Sequence, residues 1–86
     1  MNKNWERGTR AESYLLCLPP PYEPAMVFRF NHGSYVLNFQ GHPIGLPEAK
    51  DMPEAVSMAE KVLVRELKSY QKAAAEAIEM LGADDG

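Results

Sequence analysis

The sequence predicts an α+β domain: a small antiparallel sheet of about three strands packed on one long C-terminal helix. Three observations carry that prediction. Residues 51–82 are an unbroken run of helix formers with a start and a stop signal. Residues 26–39 hold two β-forming apolar runs on either side of a glycine turn. Residues 12–18 add a third apolar run, which a proline cluster ends.

The helix is the longest signal. Asp51 is placed to cap the first turn, and Glu54, three residues on, to reach back to the cap amide. Pro53 falls in the first turn, where its missing N–H costs nothing. Gly82 suits the left-handed residue that ends a helix. Val56, Ala59, Leu63, Leu67, Tyr70, Ala74, Ala77, Ile78 and Leu81 fall in one stripe of about 100°. Lys61, Arg65, Lys68 and Lys72, spaced four, three and four, share the opposite face, and Glu76 and Glu79 continue it with the other sign. The four cations read as a solvated face or as a docking stripe for an acidic partner or phosphates.

A helix of about 30 residues is about 45 Å long, whereas a compact domain of this size has a diameter of roughly 30 Å. The overhang is resolved by a break near residues 69–72, by a second chain, or by a partner protein. Tyr70, Ala74, Ala77 and Leu81 step at heptad spacing and are the expected self-association residues of a homodimer.

The remaining elements follow in order. Residues 1–11 show no period and read as a loose arm, in which Trp5 either staples the arm to the core or anchors a partner. In the run 12–18, Tyr14, Leu16 and Leu18 alternate with Leu15 and Cys17, so both faces are apolar and the strand is expected to be central or well covered. Cys17 is expected to be a buried, inert thiol. Pro19, Pro20, Pro21 and Pro24 force a rigid connector, and with Tyr22 they also match the Pro-Pro-x-Tyr pattern that WW domains read. Taking His32-Gly33 as a two-residue turn pairs Phe30 with Tyr35, Phe28 with Leu37 and Met26 with Phe39. All six side chains would then face the helix. Residues 40–50, with Gly41, Pro43, Gly45 and Pro47, read as a loop with room for a short extended piece around Ile44, so that the antiparallel strands span 12–46.

Composition bounds the function. The 86 residues suffice for one domain, and a net charge of −3 disfavours a dedicated nucleic-acid binder. No run reaches the roughly 18 apolar residues of a membrane span. The N-terminus is polar and the single cysteine cannot form an internal disulfide, so a cytoplasmic setting is expected. His32 and His42 with one cysteine make no familiar metal set. No nucleophile–base arrangement or phosphate loop is present, so neither enzymatic activity nor a cofactor is expected.

Gly33-Ser34-Tyr35-Val36-Leu37-Asn38-Phe39, then His42-Pro43-Ile44-Gly45, then Asp51-Met52-Pro53-Glu54-Ala55 follow one another as a hairpin strand, a Pro/Gly-rich stretch and a capped helix start. In this order the chain resembles the HicB family of antitoxin domains over roughly half its length. The strand and proline run upstream depart from the family pattern, and its following DNA-binding segment has no counterpart here. The resemblance implies a small non-enzymatic module that binds and blocks a protein.

The expected function is therefore a protein-binding module that inhibits or regulates its partner, antitoxin-like or a phage counter-defence (anti-CRISPR-like) inhibitor. Lys61, Arg65, Lys68, Lys72 and Trp5 are the candidate partner-binding residues. A nucleic-acid-associated protein using the basic stripe and an oligomeric structural or assembly protein are the alternatives.

Overall fold

A computed structural model describes residues 4–9, 12–30 and 33–82. Five strands, β1 (Trp5–Arg7), β2 (Ser13–Leu16), β3 (Ala25–Arg29), β4 (Tyr35–Phe39) and β5 (His42–Leu46), precede one helix, α1 (Met52–Met80). The strands form an antiparallel meander in the order β1-β2-β3-β4-β5. The α+β class stands, with five strands in place of about three.

Both additional strands lie at the edges. Residues 1–11 are not wholly a loose arm, because Trp5 pairs with Leu16 and Arg7 with Tyr14. Three residues with one apolar side chain leave no period to read. A side chain on Gly8 would collide with that of Ser13, so the turn after β1 needs glycine. The extended piece allowed around Ile44 is a paired strand, β5, in which Pro43 sits opposite Asn38. Proline is tolerated there because an edge strand needs no donor on its outer side. Gln40 and Gly41 both have positive φ, +54° and +78°, which makes the β4–β5 connection a two-residue hairpin turn of the primed type. Gln40 also accepts the Glu23 amide at 2.8 Å and so ties the proline connector to this turn.

The β3–β4 register differs from the expected one by a single residue. Arg29 pairs with Tyr35, Val27 with Leu37 and Met26 with Asn38. Asn31 and His32 lie outside the described residues. The flanking backbone supplies the reason: the Gly33 amide donates to the Phe30 carbonyl at 3.0 Å, the Phe30 amide donates to the Ser34 carbonyl at 2.7 Å, and Gly33 has φ +79°. That pattern is a three-residue connection with a glycine bulge, one residue longer than the two-residue turn. The slip turns β3 over. Tyr35, Leu37 and Phe39 of β4 face the helix as expected, but Leu37 pairs with Val27 and Tyr35 with Arg29, and Ala25 is buried on the same side of β3. Met26 and Phe28 face the other way.

The helix lies over β3, β4 and β5. Ala55, Val56, Ala59 and Leu63 are its buried residues and meet Ala25, Val27, Leu37, Phe39 and Leu46. Ala25, Ala55 and Ala59 are fully buried, so small side chains on both layers let the helix approach the sheet closely. Phe28 and Met26 in their place would have lifted it. The Asp51 carboxylate accepts the Glu54 amide at 2.9 Å, and the Glu54 carboxylate accepts the Lys50 amide at 2.8 Å, one residue before the expected cap amide. Gly82 has φ +68° and closes the far end.

The helix is continuous through residues 69–72, where a break was one way to shorten it. It therefore overhangs: the longest dimension is 49 Å against 22 and 20 Å, and the radius of gyration is 15.3 Å, where about 12 Å suits a compact chain of this length. Every residue from Lys68 to Gly82 is exposed. Cys17, expected to be buried, is exposed, because β2 ends at Leu16 and the thiol lies just beyond it.

Candidate functional site

Three surfaces are not covered by another described helix or strand. The first is the face of the sheet turned away from α1. Partners across a sheet share a face, and successive residues alternate. Leu15 pairs with Met26, Met26 with Asn38, and Phe28 with Val36. Leu15, Met26, Phe28 and Val36 therefore form one apolar band across β2, β3 and β4, with the polar Asn38 at its edge. Phe30 extends it, 57% exposed, with its ring edge-on to Phe28 at 5.7 Å between centroids. Leu15, Met26, Phe28 and Val36 are half-buried, and the one helix lies on the other side of the sheet. A contiguous apolar band of this kind marks an interaction surface more often than a chance exposure.

The second surface is the basic stripe. Lys61, Arg65, Lys68 and Lys72 are all exposed on the outer side of α1, and none forms a salt bridge with a described residue. The single ion pair among the described residues is Arg29–Glu12 at 3.2 Å, well exposed and worth little to stability.

The third surface is the helix overhang. Ala74, Ala77 and Leu81 are exposed, as are Ile78 and Met80. Tyr70 differs from the other three expected self-association residues. Its ring stacks on Tyr22 at 6.3 Å and on Phe39 at 6.0 Å, and Tyr22 stacks on Phe39 at 6.4 Å. Tyr70 is thus the last residue of the helix held by its own domain. The same cluster involves the proline run: the tyrosine of its Pro-Pro-x-Tyr pattern is half-buried against the core.

Trp5 offers a partner little surface in this fold. It is 6% exposed, and its indole N–H donates to the Glu60 carboxylate at 2.8 Å. It staples the first strand to the helix, which was the other reading of this residue.

Among the described residues, no group of His, Cys, Asp and Glu is placed to hold a metal ion, and no helix is long and apolar enough to cross a membrane. The open-face band escaped sequence reasoning because it depends on the β3–β4 register. A signal for it existed. The runs 12–18 and 25–30 are apolar on both faces, and a single helix can cover only one face of a sheet. Compared with known proteins, the chain matches no family model, no curated protein and no solved structure.

Proposed function

We propose that this protein is a non-enzymatic, cytoplasmic protein-binding module that inhibits or regulates its partner, in the manner of an antitoxin or a counter-defence inhibitor. The observation that supports this reading is the apolar band of Leu15, Met26, Phe28, Phe30 and Val36 on the sheet face opposite the helix. The partner surface that fits it is apolar at its centre and polar at its margin, since Asn38 lies beside Met26 and Glu6 beside Leu15 on the same face. Aromatic and methionine side chains at its middle are the types enriched in binding hot spots and interface cores.

A second reading has its own observation. The four cations Lys61, Arg65, Lys68 and Lys72 have no acidic partner among the described residues, which leaves them available to phosphates of a nucleic acid. The net charge of −3 and the acidic Glu76 and Glu79 on the same face weigh against it.

The test is affinity capture from the native cell with two charge variants. Met26→Glu with Val36→Glu should abolish capture of the partner and leave the far-UV spectrum intact. Arg65→Glu with Lys68→Glu should leave capture unchanged at low salt, where such contacts are least screened. The reverse outcome, or a captured species that nuclease removes, would transfer the function to the basic stripe.

A further inference from the structure

A cavity of about 210 Å³ is lined by Arg7, Glu12, Ser13, Tyr14, Tyr35 and Met52. Its origin is the path of the helix. α1 lies over β3, β4 and β5, so the helix side of β1 and β2 is covered only in part. Trp5 fills one end of that strip and reaches Glu60. At the other end Arg7 pairs with Tyr14, and Tyr14 with the buried Val27. Tyr35 stands on the same side, two residues along β4 from Leu37, the other partner of Val27.

Two polar groups at this cavity have work left to do. Tyr35 is 9% exposed, yet its hydroxyl makes no hydrogen bond with a described residue. No buried side-chain oxygen among the described residues lacks a partner. The Tyr35 hydroxyl is therefore open, and it opens on the cavity that its side chain lines. Arg7 is exposed and makes no salt bridge with a described residue. Glu12 stands at the same cavity, but both its carboxylate oxygens accept from the Arg29 guanidinium, at 3.3 and 3.2 Å. The Arg7 guanidinium is thus the charge that the lining leaves unmatched.

We propose that this cavity binds a small organic monocarboxylate. An arginine fork matches a carboxylate with two parallel hydrogen bonds, and the Tyr35 hydroxyl donates a third. The Tyr14 ring and the Met52 thioether form an apolar wall for the body of the ligand. One unmatched cation, with the Glu12 carboxylate at the same cavity, suits a single negative charge better than the larger charge of a phosphate. The volume is below the roughly 300 Å³ at which drug-sized pockets begin, so the body is small. The cavity lies on the opposite side of the sheet from the open band, and the two proposals stand or fall separately.

Benzoate titrated into the full chain, followed by amide and arginine side-chain chemical shifts, is the test. Saturable shifts centred on the cavity residues are expected, with a dissociation constant of about 1 mM. Inorganic phosphate at equal ionic strength should bind at least about tenfold more weakly. Tyr35→Phe should weaken benzoate binding about tenfold, through loss of one hydrogen bond to a charged group. The same variant should leave the thermal midpoint unchanged, since the hydroxyl holds nothing in the free protein. Arg7→Gln, at an exposed position, should weaken binding by at least about tenfold. Shifts that fail to saturate by about 10 mM, or an affinity unchanged in Tyr35→Phe, would overturn the proposal. A lowered midpoint in Tyr35→Phe would give the hydroxyl a structural partner and take it from the ligand. Phosphate binding as tightly as benzoate would overturn the choice of a carboxylate.

Discussion

On the helix side of the sheet, Ala25, Val27 and Leu37 have no exposed surface. One residue along the same strands, Met26, Phe28 and Val36 stand half-exposed on the other side. The two sets are equally apolar, and the difference lies in what covers them. With a single helix available, only one face can be sealed, and the close approach of Ala55 and Ala59 selects the small residues of β3 for that face. The larger residues of β3 are left over. Their position teaches that an apolar side chain can be kept for something other than the core of its own chain.

The contrast is sharpest in stability. Leu37→Ala, in the middle of the covered face, should cost about 2–5 kcal/mol because it leaves a cavity that a rigid sheet cannot close. A denaturant midpoint lowered with unchanged slope would show this. Trp5→Phe should cost about 1–2 kcal/mol, as the ring still fills its site but the bond to the Glu60 carboxylate is lost. A loss near that of Leu37→Ala would mean that the ring cannot be replaced in kind. Met26→Ala, on the open face, should cost no more than about 1 kcal/mol. Equal losses for Met26→Ala and Leu37→Ala would erase the distinction between the faces and restore the two-residue turn register.

Much of this architecture was legible in the residues. Asp51, Glu54 and Gly82 bounded the helix to within one or two residues, because caps are local chemistry. Alternation placed Tyr35, Leu37 and Phe39 inward, because the competing set on β4, Val36 and Asn38, holds only one apolar side chain. The same rule failed on β3, where Ala25 and Val27 compete with Met26, Phe28 and Phe30 and period two cannot choose between two apolar sets. The register was then decided by one bulge residue at Gly33. β1 was too short to show a period, and β5 was masked by Pro43 and Gly45, which deplete central strands but not edges. The four cations of α1 lie where a helical wheel puts them. The open band does not follow from any one strand, since it exists only once β2, β3 and β4 are set in register.

The measurement closest to the central claim is site-specific photo-cross-linking in the native cell. A benzophenone side chain in place of Phe30, beside the open band, should form a covalent adduct with one defined protein. The same group in place of Lys61, on the outer side of the helix, should form none. An adduct at position 61 without one at position 30 would contradict a partner site on the open face of the sheet.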